Sequence, residues 1–254
     1  MINSIDKVFR ETGDIPLFYI ESGSRLWGIA SPDSDYDVRG IHLQSKEKYF
    51  DYKTHRDIIE VMDGDFDFVS YGIDKMFGLL AKSNPTVFEW IRAHITYLNL
   101  LPDWDLLQKD IIANYDFKTL YYHYISIGKE FYGYLQSKPA CTYKDLFYSI
   151  RGLLTAELSR QGILPAILID NLFQQFSDDN DVLKIAKENL EIKKQHPEKQ
   201  EIANADKPKI LATLLKYLQQ LEAKAPQSTN DPQKLENILT DYAISLKSKY
   251  YGGV

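Results

Sequence analysis

The first hundred residues alternate short apolar runs with turn-forming residues, which is typical of a small sheet with flanking helices. Residues 3–12 predict a first helix, and residues 16–22 predict a strand. Residues 35–43, DYDVRGIHL, alternate polar and apolar positions and predict a second strand, antiparallel to the first. Residues 25–34 between them predict a loop, or a short helix followed by a turn at Ser31-Pro32-Asp33.

A hairpin is predicted further along, where Asp63-Gly64 separates the runs IIEV and FDFV. From Ile73 to Leu80 the apolar spacing becomes helical. Asn84-Pro85 ends that helix, and Thr86 is predicted to cap the next one.

After Pro102 the strand signals fade and helical periodicity dominates. The predicted helices cover residues 103–113, 116–137, 143–162, 164–176, 180–194, 207–223 and 232–249. Polar connectors are expected at residues 195–207 and 223–233. The pattern therefore predicts an α+β fold, with a small mixed β-sheet in a domain at residues 1–105 and an all-helical domain at residues 106–254.

Composition narrows the class of protein. The 254 residues are 44% hydrophobic and 26% charged, and no apolar run approaches the roughly 20 residues that span a bilayer. A single cysteine, Cys141, excludes an internal disulfide and a multi-cysteine zinc site, so the cytoplasm is the expected compartment. The net charge of −6 argues against broad, nonspecific binding to nucleic-acid backbone.

The candidate chemistry lies between Ile20 and Gly40. Gly23-Ser24 follows an apolar strand, and such a turn can offer backbone N–H groups and a hydroxyl to phosphate oxygens. Asp35 and Asp37 follow at i and i+2, so on a strand their carboxylates point to the same face. Carboxylate oxygens are the ligands that hard divalent cations prefer. A metal beside a phosphate cradle indicates phosphoryl or nucleotidyl transfer.

Nucleotidyl transfer around two metal ions needs about three carboxylates. Asp67 is the first candidate for the third, because Phe66 and Phe68 flank it and are expected to bury the opposite face of the strand. Glu60 is the second candidate. An Asp-x-Asp pair alone is also common in solvated loops, and the Gly-Ser turn upstream is what favours a functional site.

These residues resemble a known family. GSRLWGIASPDSDYDVRGI is similar to the signature of the DNA polymerase β-like nucleotidyltransferase superfamily, and with KSNPTVFEW at residues 82–90 it resembles the predicted nucleotidyltransferases of the RlaP type. The similarity runs from about Phe18 to Ile91 and continues more loosely through His123-Tyr124 and Lys144–Arg151.

The resemblance implies a small mixed sheet and the transfer of a nucleoside monophosphate from a nucleoside triphosphate, ATP being the usual donor. It implies Mg²⁺ held by carboxylates, with Asp35 and Asp37 in the first two positions and Asp67 in the third. It places Gly23 and Ser24 at the triphosphate turn.

Other candidate nucleotide contacts are cationic or aromatic. Arg25 directly follows the turn and could reach a phosphate or form a structural ion pair. Lys144, Tyr148 and Arg151 share one helix face, which suits the β- and γ-phosphates or a merely exposed amphipathic face. Arg39 either orients a carboxylate or contacts nucleotide.

The expected function is therefore Mg²⁺-dependent nucleotidyl transfer to a hydroxyl. The acceptor could be an RNA 3′ end, a protein or a small molecule, and no membrane partner is expected. The alternative is a catalytically inactive module on the same fold that binds a nucleotide or a partner. An intact third carboxylate beside Asp35 and Asp37 argues against that alternative.

Overall fold

A computed structural model gives the fold, and it describes residues 1–224, 226 and 232–252. Five strands form one sheet: β1 (Ile15–Glu21), β2 (Tyr36–Leu43), β3 (Ile58–Asp63), β4 (Phe66–Gly72) and β5 (Thr96–Asn99). The helices are α1 (Ile2–Thr12), α2 (Gly23–Trp27), α3 (Lys46–Phe50), α4 (Ile73–Ala81), α5 (Pro85–Ile91), α6 (Trp104–Ala113), α7 (Phe117–Ser137), α8 (Tyr143–Arg160), α9 (Ile169–Gln174), α10 (Asp181–Gln195), α11 (Lys207–Glu222) and α12 (Pro232–Tyr251).

The chain divides into two compact units, and each is discontinuous in sequence. The sheet unit comprises Met1–Gly23, Asp35–Tyr115 and the described part of Asn230–Val254. The helical unit comprises Ser24–Ser34 and the described part of Asp116–Thr229. The sequence pattern predicts one boundary near residue 105 instead, and as a functional division this boundary stays a prediction.

The sheet has the order β3-β4-β2-β1-β5. β2 and β4 are parallel, and all other neighbours are antiparallel. The predicted antiparallel pairing of the first two strands and the hairpin at Asp63-Gly64 are both present, with Gly64 at φ +59° in the turn. The mixed sheet confirms the predicted α+β class.

Both faces of the sheet are covered within the sheet unit. One core cluster joins the buried side of α1 to the sheet: Ile5, Val8, Phe9, Tyr19, Val38 and Phe68. The rings of Tyr19 and Phe68 stack in it with centroids 5.4 Å apart. From the neighbouring β1 position, Phe18 packs on Trp104 of α6 with ring centroids 4.6 Å apart. Successive residues of a strand point to opposite faces, so β1 contributes to two apolar layers.

The helical unit is built on the close packing of α7 against α8. A Cβ atom placed on Gly152 would lie 2.7 Å from the backbone nitrogen of Gly128, closer than real Cβ contacts. Ser149 also donates a hydrogen bond of 3.0 Å to the Gly128 carbonyl. The two glycines therefore allow the helix backbones to approach each other closely.

Several predicted boundaries need correction. Asn84, and not Thr86, caps α5, because its side chain accepts from the Thr86 and Val87 N–H groups and Pro85 takes the first helical position. The helix predicted at residues 164–176 shortens to α9, whereas α3 and β5 were not predicted. In the predicted connector at 223–233, residues 225 and 227–231 lie outside the described residues, as do 253 and 254 of the predicted helical domain. Over the described part of the chain, no helix is long and apolar enough to cross a membrane.

Candidate active site

Asp37 and Asp67 lie side by side in the sheet unit. They are register partners on the parallel strands β2 and β4. Nη2 of Arg39 donates to Oδ1 of Asp37 at 2.9 Å and to Oδ2 of Asp67 at 2.7 Å. Nη1 of Arg39 donates to the backbone carbonyls of Val38 and Asp67 at 3.1 Å and 2.7 Å. Arg39 thus orients both carboxylates, which is the first of the two roles predicted for it.

The environment of Asp37 opposes its ionisation. Burial is the largest cause that raises the pKa of its carboxyl, and the charges of Asp67 and Glu21 raise it further. The Arg39 guanidinium lowers the pKa but does not cancel these effects. A carboxylate held in this way gains from any additional positive charge placed beside it.

Gly23 lies directly against Asp37. It has φ +60°, a left-handed conformation that side chains disfavour. A Cβ atom at this position would lie 2.1 Å from Oδ2 of Asp37. The backbone N–H of Ser22 donates to the Asp37 carbonyl at 2.8 Å. The structure therefore brings the glycine of the predicted triphosphate turn to the carboxylate of the predicted metal pair.

Glu21 is a site residue that the sequence pattern did not single out. Its side chain is buried, and its Oε1 accepts the backbone N–H of Asp37 at 2.9 Å. Its Oε2 accepts the hydroxyl of Tyr97 on β5. The available signal in the sequence is that Glu21 directly continues the apolar run Leu17–Ile20, so its carboxylate is expected at the buried end of a strand. A buried carboxylate needs hydrogen-bond partners, which marks it as a candidate site residue.

The remaining predicted carboxylates lie outside strands β2 and β4. Asp35 is exposed and precedes β2. Glu60 lies on β3, which neighbours β4 and not β2, and it accepts from Arg56 at 2.5 Å. Across the described residues, no three His, Cys, Asp or Glu side chains converge to form a metal-binding group. Metal binding by Asp35, Asp37 and Asp67 therefore stays a prediction, and Asp67 is better placed than Glu60 as the partner of Asp37.

The predicted phosphate-binding residues after Gly23 belong to the helical unit. Ser24 is buried, and its carbonyl accepts the N–H of Ile29 at 3.0 Å. Nη2 of Arg25 donates to the carbonyl of Ser34 at 2.6 Å, so Arg25 closes the segment 24–34 into a loop.

Lys144, Tyr148 and Arg151 project from α8, and each has a partner in the helical unit. Nζ of Lys144 donates to Glu198 at 2.5 Å. The Arg151 side chain is buried, with its guanidinium carbon 3.9 Å from the ring centre of Trp27. The rings of Tyr148 and Trp27 meet edge to face at 5.1 Å. Their contact with a nucleotide stays a prediction.

The turn Ser31–Ser34 holds a second polar cluster that the sequence pattern did not reveal. Glu198 accepts from the Ser34 hydroxyl at 2.8 Å, and its backbone N–H donates to Asp33 at 2.8 Å. Burial would raise the pKa of Glu198, but hydrogen bonds from Lys144 and Ser34 outweigh it and lower the pKa. Lys193, almost fully buried, donates to the Ser31 hydroxyl at 2.6 Å. Burial lowers the pKa of Lys193, and the charge of Glu198 opposes that effect.

Relatives of the chain are known from sequence. The chain is 32% identical over 168 residues to the uncharacterized protein YcgL of Bacillus subtilis (strain 168), covering 65% of this chain and 64% of that protein. It is 30% identical over 142 residues to the uncharacterized protein MJ0002 of Methanocaldococcus jannaschii, covering 54% of this chain and 57% of that protein. The chain thus spans less than two thirds of the length of either relative.

A solved structure also matches. The nucleotidyltransferase-like protein from Exiguobacterium sibiricum 255-15 aligns with 97% of this chain and 79% of its own, at 11% identity and a TM-score of 0.35. This likeness is too low to carry an argument about the site.

A family model covers nearly the whole chain. The model of the RlaP family, described as an RNA repair pathway DNA polymerase β family, matches residues 3–242. This match confirms the resemblance carried by the Gly-Ser turn and the Asp-x-Asp pair. The chain belongs to the RlaP family of DNA polymerase β-like proteins.

Proposed function

We propose that this protein is a Mg²⁺-dependent nucleotidyltransferase that moves a nucleoside monophosphate from ATP to a hydroxyl acceptor. The single observation that carries the proposal is the placement of Gly23 against Asp37, which is itself the register partner of Asp67. A glycine turn that can approach phosphate, beside paired carboxylates, is the minimum equipment of this chemistry.

The donor set of the sheet unit fits a hard cation. Asp37 and Asp67, with Asp35, are the residues proposed to hold Mg²⁺, because carboxylate oxygens are its preferred protein ligands. When bound, Mg²⁺ would neutralise phosphate charge and favour ionisation of the acceptor hydroxyl. Arg39 hydrogen-bonds one oxygen of each carboxylate, so each retains a second oxygen that Arg39 does not hold.

The protein's own residues prepare this site by fixing Asp37. Glu21 accepts the Asp37 N–H, and Arg39 accounts for the orientation of the carboxylate itself. Asp67 is our proposed acceptor of the proton from the attacking hydroxyl. Gly23, Ser24, Arg25, Lys144, Tyr148 and Arg151 are our proposed contacts to the nucleotide.

For the acceptor we propose an RNA end first. The description of the family names an RNA repair pathway, which favours this choice over a protein hydroxyl or a small molecule. The net charge of −6 means that any RNA contact has to be local. A cytoplasmic location stays our proposal from the single cysteine.

A second candidate function is an inactive binding module. Arg39 bridges Asp37 and Asp67, and within the described chain no third carboxylate completes a metal-binding group. An internal guanidinium can substitute for a metal in neutralising two carboxylates. In this case the fold would bind a nucleotide or a partner without transferring anything.

Incubation with α-labelled ATP and Mg²⁺ separates the two candidates. Transfer is read as label on RNA, protein or small-molecule acceptors together with release of pyrophosphate. Activity in the wild type that Asp67→Asn abolishes and Glu60→Gln retains supports the transferase. If the wild type binds ATP but releases no pyrophosphate with any acceptor class, the binding module is the better account.

A further inference from the structure

The segment Ser24–Ser34 is fastened to the helices of its unit at both ends. Near its start, the Trp27 ring lies under the Arg151 guanidinium of α8. A Cβ atom on Gly28, at φ +73°, would lie 2.6 Å from the Leu168 side chain that precedes α9. At its end, the turn Ser31–Ser34 contacts residues 193 and 198. These contacts restrain the segment near both of its ends.

The hydroxyl of Ser34 relays one of these contacts. It accepts the backbone N–H of Ser31 at 3.0 Å and donates to Oε1 of Glu198 at 2.8 Å. The Ser34 backbone N–H in turn donates to the Ser31 carbonyl at 3.1 Å. Ser34 is buried, so its orientation is set by these partners.

The position of the Arg25 side chain also depends on Ser34. Its Nη2 donates to the Ser34 carbonyl at 2.6 Å. Glu198, Ser34 and Arg25 therefore form a chain of hydrogen bonds that runs from the connector after α10 to the residue after the Gly-Ser turn.

Further groups contact Glu198, at the other end of this series of hydrogen bonds. Lys144 donates to the second oxygen of Glu198 at 2.5 Å, and the Glu198 N–H donates to Asp33 at 2.8 Å. Lys193 exchanges hydrogen bonds with Ser31, donating from Nζ at 2.6 Å and accepting at its carbonyl at 3.0 Å. Glu198 thus contacts the turn through both its side chain and its backbone.

We infer that Glu198 is a positioning residue for the donor triphosphate, acting on Arg25 through Ser34. This inference rests on the proposed function, in which Arg25 contacts the triphosphate. The inference assigns a role to the region after residue 160. Glu198 fixes Ser34, and the Ser34 carbonyl in turn orients the Arg25 guanidinium. Lys193 supports the same turn from α10.

The test is calorimetric titration of ATP with Mg²⁺ into the full chain. Glu198→Ala removes the acceptor of the Ser34 hydroxyl, whereas Glu198→Gln keeps one oxygen that can accept from Ser34 and replaces the oxygen that accepts from Lys144 with an amide NH2 group. Glu188→Gln is the matched control, because Glu188 lies on α10, is largely exposed and faces Lys209 at 3.8 Å. Ser34→Ala interrupts the relay from the other side and serves if Glu198→Ala does not fold.

We expect Glu198→Ala and Ser34→Ala each to raise the Kd about tenfold, the loss typical of one charge-assisted hydrogen bond. Glu188→Gln should stay within about twofold of the wild type, and Glu198→Gln should lose less affinity than Glu198→Ala because it keeps an acceptor for the Ser34 hydroxyl. Combining Glu198→Ala with Arg25→Ala should weaken binding no more than Arg25→Ala alone, because both act through one guanidinium.

Three results would overturn the inference. Wild-type affinity in folded Glu198→Ala or Ser34→Ala removes the positioning role. Additive losses in the double variant show that Glu198 acts by a route other than Arg25. If the wild type binds no triphosphate at all, the proposed function and the inference fail together. If the wild type binds ATP and the variants bind it equally well, only the inference fails.

Discussion

Asp37 on β2 and Asp67 on β4 are register partners of a parallel strand pair, and a single nitrogen of Arg39 contacts both carboxylates, at 2.9 Å and 2.7 Å. The pair is therefore built into the sheet backbone and does not depend on a flexible loop. Because a one-residue shift in register turns side chains to the other face, the register of β4 on β2 decides whether Asp67 can serve with Asp37.

Replacing Gly23 with alanine tests the contact of this turn with Asp37. The new Cβ would clash with Oδ2 of Asp37, and the alanine backbone would also have to adopt φ +60°. Gly13→Ala is the control, because Gly13 has φ +74° with nothing within 4 Å of a Cβ. We expect Gly13→Ala to cost about 1 kcal/mol of unfolding free energy and Gly23→Ala about 1–3 kcal/mol more, measured by urea denaturation. Equal losses in the two variants would mean that Asp37 does not crowd Gly23.

Neutralising Asp37 should stabilise the fold at neutral pH. The pKa of Asp37 is raised, first by burial, from its ordinary value of 3.8. A carboxyl whose folded pKa is raised contributes stability below its unfolded pKa and loses it as pH rises through the folded pKa. Asp37→Asn should therefore unfold at a higher Tm than the wild type at pH 7, and the difference should shrink below about pH 4. A lower Tm at pH 7 would contradict this assignment.

His42 should make the fold sensitive to mild acid. It is fully buried, its Nδ1 lies 2.8 Å from the Ser70 hydroxyl, and its Nε2 has no hydrogen-bond partner among the described residues. Burial is the main cause that lowers its pKa from 6.5 to about 4; the charge of Asp14 opposes this effect, and the charge of Lys48 adds to it. A lowered histidine pKa contributes stability above 6.5 that is lost as pH falls towards 4.

We expect the unfolding free energy of the wild type to fall by about 3 kcal/mol between pH 7 and pH 4 because of His42 alone. His42→Asn retains a polar group near Ser70 and cannot titrate in this range. Between pH 7 and pH 4 the unfolding free energy of this variant should therefore fall by about 3 kcal/mol less than that of the wild type. An unchanged slope in this variant would assign the acid sensitivity to other groups.

Two glycines in the helical unit should respond oppositely to alanine. A Cβ on Gly152 meets the backbone of the facing helix, whereas a Cβ on Gly133 in α7 meets nothing within 4 Å. Gly152→Ala should lower the unfolding free energy by about 2 kcal/mol or more, since backbone cannot yield to the new methyl group. Gly133→Ala should raise it by about 0.5–1 kcal/mol through helix propensity. Thermal denaturation of both variants decides the point, and stabilisation of Gly152→Ala would show that α7 and α8 are less tightly packed.

Local sequence signals predicted what depends on local structure. The alternation in β2, the Asp63-Gly64 turn and the long helices α7, α8 and α11 are all visible in the spacing of apolar residues. The strand β5 was missed because four residues, Thr96–Asn99, are too few to show a period.

Long-range relationships were beyond the reach of these signals. The parallel register that pairs Asp37 with Asp67 joins strands separated by the hairpin partner β3. The contacts of Ser31 and Ser34 with Lys193 and Glu198 cross more than 160 positions of sequence. Such pairings depend on tertiary packing, so neither composition nor periodicity reports them.

The most direct test of the account is calorimetric titration of ATP, with and without Mg²⁺, into the wild type, Asp37→Asn and Glu60→Gln. Glu60 is the matched control, an acidic strand residue that is more than half exposed and paired with Arg56. We predict Mg²⁺-dependent binding by the wild type and Glu60→Gln, and its loss in an Asp37→Asn variant that is still folded. Binding by Asp37→Asn as tight as that of the wild type would contradict the claim that Asp37 belongs to a nucleotidyltransferase metal site.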